Sequence, residues 1–205
     1  PAGPRRRYAA SALAEELAAH ATPGPDEASS RADRADRADR ADRADQADRS
    51  DRNDPLSRLL SEANISPADF GTLVHACIEA RFEGREPPFV PEAVRDEANA
   101  MARRFLESSL GALALAAGWR ETEYGFLTDY THEGRTLVVF GQADLAFESG
   151  GTVYVVDYKT DREENPERHA VQLAVYRKAL GDIRKKPVQT WLFYLRTGTA
   201  SLISG

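Results

Sequence analysis

Asp157-Tyr158-Lys159 closes an apolar run, Val153 to Val156. In a strand the side chains at 157 and 159 share one face while 158 points to the other, so a carboxylate and an ammonium stand side by side at a strand end. Thirteen residues upstream of Asp157, Gly141-Gln142-Ala143-Asp144 interrupts a second apolar run, Val138 to Phe147, and puts another acid on the neighbouring strand. Two carboxylates so placed repel one another unless a divalent cation sits between them, and hard carboxylate oxygens suit Mg²⁺ or Mn²⁺. Lys159, a compact ammonium beside such a pair, is placed to stabilise negative charge on an attacking hydroxide or on a pentacoordinate phosphorus. The plain alternative for Asp157 and Lys159 is a solvent-facing ion pair at a sheet edge.

Other polar side chains stand where they could join this chemistry. His75 lies one helical turn after Gly71, at the border of an apolar stripe, and the glycine lets a second backbone or a ligand approach. Its alternative role is that of a structural histidine. Glu123 precedes Tyr124 and Phe126 in a strand-like segment, and the alternative there is an exposed strand residue. Arg168, Gln172 and Tyr176 are four apart and align a guanidinium, an amide and a phenol on one helix face, although partial burial at a helix edge accounts for Tyr176 equally well.

These residues need a scaffold, and periodicity supplies one. Ser66-Pro67-Ala68-Asp69 is a helix start, followed by Phe70, Leu73, Val74, Cys77, Ile78 and Phe82 at helical spacing and ended by Gly84. The spacing predicts a second helix over roughly Pro91 to Ala117, with Val94, Ala98, Met101, Phe105 and Leu113 inward and Gly118 as its stop. Trp119 to Thr128, Thr136 to Phe147 and Thr152 to Lys159 read as three consecutive strands, a meander separated by His132-Glu133-Gly134 and Ser149-Gly150-Gly151. A helix from Pro166 to Leu180, stopped by Gly181, and a strand from Val188 to Leu195 complete the set. Helix, helix, three strands, helix, strand is an α+β order with a mixed sheet.

The N-terminal part has another character. Ser11 to His20 reads as a short helix and Thr22 to Ser30 as its exit. Arg31 to Asp54 is a degenerate Arg-Ala-Asp repeat whose period of three leaves no apolar stripe on a helix, and its seven Arg and eight Asp nearly cancel. It reads as a solvated linker or insertion, which divides the chain into residues 1–30, 31–54 and a core at 55–205.

Composition limits the classes open to it. The 205 residues, 41% of them hydrophobic, suffice for one sizeable core, and the net charge of −6 does not advertise a nucleic-acid binder, so any basic groove must be local. The single cysteine, Cys77, cannot by itself make a disulfide framework, a four-cysteine zinc site or an iron-sulfur cluster. With no membrane span and no apolar signal core, a reducing, cytoplasmic location is expected. The chain starts on Pro1 and carries its one Met at position 101, which reads as a piece of a longer polypeptide.

In order, Gly71-x-x-x-His75, Glu123 ahead of a strand hairpin, Gly141-x-x-Asp144, Asp157-Tyr158-Lys159-Thr160 and Gln172-Leu173-x-x-Tyr176 resemble the RecB-type branch of the PD-(D/E)xK nuclease superfamily. The resemblance covers roughly Gly71 to Leu195, and Ser11-Ala12-Leu13 resembles the opening of the nuclease domain at the C-terminal end of RecB and AddA helicase-nucleases. It implies a restriction-endonuclease-like core and a metal held by His75, Asp144 and Asp157 with the Tyr158 backbone carbonyl. It also implies Lys159 at the attacking water, Glu123 as a further catalytic acid, and Gln172, Tyr176 and Arg168 orienting the site or contacting DNA. Asp157 stands where many members carry Glu, which the pattern allows, while the missing cysteines separate this chain from the AddB-like iron-sulfur subgroup.

The implied activity is Mg²⁺- or Mn²⁺-dependent hydrolysis of DNA, by exonuclease or helicase-coupled endonuclease action in recombinational double-strand-break repair. Single-stranded DNA fed by a helicase domain of the same parent chain is the implied substrate, and a further implied partner is a second helicase-nuclease subunit. No Gly-x-x-x-x-Gly-Lys-Ser/Thr loop occurs in these residues, so the motor would lie outside them. Against this stands a DNA-binding or scaffolding module that keeps the fold without turnover.

Overall fold

The structure, a computed structural model, describes residues 7–12, 54–132 and 134–203. Of the expected Ser11–His20 helix only the beginning is described, with residues 10–12 helical. The rest of it, the Thr22–Ser30 exit and all of the triplet run except Asp54 lie outside the described residues.

The sheet begins with β1 (Arg7–Ala9), a three-residue strand too short for periodicity to reveal. The expected meander forms as β2 (Trp119–His132), β3 (Arg135–Ser149) and β4 (Thr152–Lys159), consecutive and antiparallel. Gly150 and Gly151, both at positive φ (58° and 78°), turn β3 into β4 without the steric cost a side chain would bring. β5 (Val188–Tyr194) pairs parallel to β4, and β6 (Thr199–Ile203), which sequence reading missed, pairs antiparallel to β5. The result is a six-stranded mixed sheet. Since β2 runs along the whole of β3, its other edge is shared, by β4 at Leu145–Ser149 and by β1 at Val138–Phe140. No β1 or β4 ladder pair falls on residues 141–144, and the sheet splays there.

Among the described residues from Asp54 on, five α-helices flank the strands. α1 (Pro55–Ala63) directly follows the triplet run and was not anticipated. α2 (Pro67–Glu83) has the expected ends: the Ser66 hydroxyl accepts the Asp69 N–H at 3.0 Å, and Gly84 closes it at φ 65°. The single helix expected over 91–117 is two, α3 (Glu92–Leu106) and α4 (Ser109–Ala116). Ser108 makes the break by accepting the Gly111 N–H at 3.1 Å, and Gly111 permits it, because a Cβ there would lie 2.1 Å from the Phe105 carbonyl oxygen. Leu113, expected inward, is consequently 40% exposed. α5 (Ala170–Arg184), entered through a 3₁₀ turn at Glu167–His169, continues past Gly181 and ends at Lys185 (φ 55°).

The sheet is sandwiched. α2 and α3 cover one face through Val74, Ile78, Met101 and Phe105, packed on Leu145, Phe147, Val156 and Tyr158. α5 covers the other through Leu173, Tyr176 and Leu180, packed on Val139, Ala143, Ala146 and Val155. These two groups show that β3 changes phase, since Ala143 and Ala146 face α5 whereas Leu145 and Phe147 face α2. β2 changes phase at the same place. The Arg120 and Thr122 side chains reach Phe82 O and Glu83 on α2, whereas Tyr124 and Phe126 pack on the α5 side. The ladder keeps its register across the slip, with Thr122↔Leu145 on one side and Tyr124↔Ala143 on the other, and the residue between them on β2, Glu123, is left-handed at φ 49°. A non-glycine residue held there stores strain of a kind that clusters at functional sites.

Candidate active site

The slip lies where the chemistry-bearing side chains meet. α2 is brought against the end of β4 at Gly71, where a Cβ would lie 3.1 Å from Thr160 Oγ1. One turn later His75 turns its ring to the sheet, edge-on to Tyr158 at 5.3 Å and with Nδ1 3.6 Å from Asp144 Oδ1. The second Asp144 oxygen accepts the Tyr158 N–H at 2.6 Å, which fills the gap in the ladder where β4 leaves β3. Two of the expected residues are thus locked to each other by the splay of the strands.

The left-handed turn at Glu123 carries a third donor to the same point: among the described residues, one ligand atom each of His75, Glu123 and Asp144 lies within 4.8 Å of the others. An imidazole nitrogen and two carboxylate oxygens form a hard set suited to a divalent cation. Asp157 is not a member of that close trio. It stands beside it, 4% exposed, and turns Oδ2 toward Lys159 Nζ at 2.6 Å. That oxygen receives no hydrogen bond in line, and the Lys159 ammonium, with His75 as a weaker second, offsets its charge. The Asp157–Lys159 pair is buried rather than solvent-facing, the side chains 5% and 18% exposed, on a stretch of β4 that stays paired with β5 after its ladder with β3 has ended at Val156.

Electrostatics tie the four groups and the lysine together. Burial, then the Asp144 charge, push the Asp157 carboxyl up to about 6 although Lys159 pulls it down. Burial alone would lower Lys159, but the charges of Asp157, Asp144 and Asp161 outweigh it and hold the ammonium protonated. Burial would likewise lower His75, but the Asp144 hydrogen bond and the charges of Asp144, Asp157 and Glu123 raise it. Glu123 is raised, by burial and then by Asp144. Three carboxylates thus crowd one imidazole and one ammonium, a set whose excess of acids suits a cation.

The α5 residues stand on the opposite side of the sheet. Gln172 Nε2 donates to the Tyr176 hydroxyl, which donates to the Gln142 carbonyl, both at 2.8 Å. Tyr176 is 3% exposed and stacks edge-on with Phe126 at 5.2 Å. Gly141 is what admits Phe126, since a Cβ there would lie 2.3 Å from its ring. Gly141, Phe126 and Tyr176 therefore pin the main chain two residues before Asp144. Arg168 does not continue their row: it lies exposed in the 3₁₀ turn, its N–H on Asn165 Oδ1 at 3.3 Å.

Sequence reading missed Arg196. Its Nε donates to the carbonyl of Thr160, next to the lysine, and its Nη1 meets Asp54 Oδ2, both at 2.8 Å. An arginine after a strand carries no signal of such a role. A cavity of about 700 Å³ between α2 and α3, with Arg81, Asn99 and Arg103 in its lining, contains none of the site residues. No helix among the described residues is long and apolar enough to cross a membrane.

The model of the PD-(D/E)XK nuclease superfamily matches residues 47–202, three-quarters of the chain. This chain belongs to that superfamily. Its relatives include proteins named as ATP-dependent helicase/nuclease subunits of the A type. That of Anoxybacillus flavithermus is 27% identical over 167 residues, covering 69% of this chain and 14% of its own length. That of Acetivibrio thermocellus is 28% identical over 167 residues (67% and 13%), and that of Lacticaseibacillus casei 36% identical over 114 residues (47% and 9%). The chain thus spans about a tenth of the length of these relatives. Nucleases of this superfamily depend on a divalent metal, and the hard donors at the splay, with the buried Asp157 carboxylate beside them, fit one.

Proposed function

We propose that this PD-(D/E)XK chain is the nuclease domain of a helicase-nuclease, hydrolysing phosphodiester bonds of single-stranded DNA during recombinational repair of double-strand breaks. The observation that carries the reading is the protonated Lys159, 2.6 Å from a buried Asp157 and next to the His75–Glu123–Asp144 set. The relatives' names support a helicase in the same parent protein, and with it go a cytoplasmic setting and a second helicase-nuclease subunit. Residues 31–54 are then an inserted linker ahead of the core.

His75, Asp144, Asp157 and the Tyr158 carbonyl would hold the cation, with Glu123 completing the set. A bound Mg²⁺ or Mn²⁺ supplies Lewis-acid polarisation of the phosphate and neutralises the carboxylates. Lys159 stays cationic where negative charge develops on the attacked phosphate, and its contact with Asp157 fixes the ammonium in place. Tyr176, oriented by Gln172, holds the backbone that aims Asp144, and the exposed Arg168 meets a phosphate of the incoming strand.

Labelled single-stranded DNA incubated with Mg²⁺ or Mn²⁺ tests this. The chain cuts in either metal, and Asp157→Ala and Lys159→Ala each lose at least ~100-fold in rate, of the order seen when a charge-stabilising group is removed. Equal cutting by all three proteins overturns the assignment, and binding without cutting by the wild type points to the non-catalytic module.

A further inference from the structure

Four residues from Glu123 on β2 and four from Asp144 on β3 stands an apolar pair that the core does not use. Leu127 and Phe140 face each other in the ladder and are 61% and 51% exposed. They lie on the site's side of the sheet, because Phe126, Val139 and Ala143 all pack toward α5, so 127, 140 and 144 point the other way. Glu123 joins them through its left-handed turn. The lane between the two pairs is open. It holds Gly125 opposite Gln142; a Cβ on Gly125 would meet nothing within 4 Å, and the Gln142 amide is turned back onto the Glu123 carbonyl at 3.4 Å. The next pair along is Asp129 opposite Val138, so the apolar patch is one pair long.

We infer that Phe140, with Leu127 beside it, is a stacking platform for one base of the strand being cut. The inference rests on the nuclease reading and adds where the substrate runs: from the carboxylates along the lane toward the far end of the β2–β3 hairpin. At ~3.4 Å per residue the platform is ~14 Å from Asp144. That is roughly four nucleotide steps at duplex spacing, and fewer on an extended strand. Two features favour a nucleic-acid strand over a protein segment as the occupant. The patch is continuous with the site on one open face, and its width suits a single ring. A chain of net charge −6 has little long-range attraction for a polyanion, so stacking must supply affinity that charge does not. An aromatic face stacks on any unpaired base, which makes the occupant single-stranded and the contact tolerant of sequence.

Binding of fluorescent oligothymidylate to the full chain, read by anisotropy with Ca²⁺ to suppress cutting, tests the platform directly. Phe140→Ala weakens binding roughly tenfold, the scale of one lost base stack. Phe140→Trp restores it, and Leu202→Ala, which removes an equally exposed apolar side chain on β6, changes nothing. An abasic nucleotide walked along the oligonucleotide weakens wild-type binding at one position by the same factor and leaves Phe140→Ala unaffected there. Wild-type affinity in Phe140→Ala, or an abasic walk that finds no such position, overturns the platform. Failure of the underlying reading shows elsewhere, as wild-type protein that does not hydrolyse bis(p-nitrophenyl) phosphate with Mn²⁺.

Discussion

Asp144 does two jobs that substitution can separate. One oxygen is a backbone acceptor, closing the ladder gap at Tyr158, and its charge is what, after burial, lifts Asp157 to about 6. Asp144→Asn keeps an oxygen for the N–H and removes the repulsion. In metal-free buffer it is therefore at least as resistant to urea as the wild type, yet inactive in cleavage. Asp144→Ala leaves the N–H without an acceptor and loses about 1–3 kcal/mol. Urea melts of the three proteins check this, and an Asn variant weaker than the Ala variant would contradict it. His169 supplies a pH dependence. Burial, then the nearby Lys159 charge, lower it from 6.5 to about 4. Above pH 6.5 it is neutral in both folded and unfolded chains and costs nothing. As pH falls from 6.5 toward 4 the unfolded chain takes a proton that the folded one refuses, so stability declines. His169→Gln flattens that part of the decline, read as urea midpoints at pH 7.5, 6 and 5.

At the scale of elements, the site depends on how strand ends are held. The end of β4 carries Asp157 and Lys159, and Arg196 ties the next residue, Thr160, to Asp54 at the start of α1. The ion pair is only 19% and 13% exposed, and against burial, Arg196 and then Ser57 hold the Asp54 carboxyl below its usual value. Arg196→Ala leaves the Thr160 carbonyl without this donor and the Asp54 carboxylate with the Ser57 hydroxyl but no cation, a loss of about 1–3 kcal/mol in urea denaturation. Arg196→Lys recovers only part, because an ammonium cannot serve both acceptors in the fork geometry of a guanidinium. The β2–β3 pair is held from the other side by Tyr176 and Phe126, and the close fit at Gly141 gives that glycine of the Gly141-x-x-Asp144 signature a mechanical reason.

For the molecule as a whole, the question is how a polyanionic substrate is held by an acidic chain. The net charge of −6 and the single apolar pair along the lane point to few phosphate contacts. Each phosphate neutralised on a single strand contributes roughly −0.7 to the slope of log affinity against log salt. The isolated chain is expected to show a slope no steeper than roughly −2, that is about three contacts. Anisotropy titrations in Ca²⁺ between ~50 and ~200 mM salt measure it. A steeper slope would reveal a basic track elsewhere on the surface.

Local physics made part of this protein legible in its amino acids. Both ends of α2 follow from Ser66 and Gly84, the limits of β4 from its apolar run and the glycines before it, and the β2–β3–β4 meander from alternation and turn chemistry. Each of these is settled within a few residues of chain. β1 and β6 were hidden because strands of three and five residues have no period to read. The break between α3 and α4 was hidden because one serine cap competes with a helical pattern that continues past it. Only the fold decided which of these side chains come together. Periodicity put acids on neighbouring strands but could not show that one left-handed residue, Glu123, would turn over its strand and bring its carboxylate to His75 and Asp144 while Asp157 turned to Lys159. Nor could it join Arg196 to Asp54 across 142 residues. The direction of a side chain depends on a single backbone angle and on which strand lies opposite, and both are fixed by packing between segments far apart in the chain.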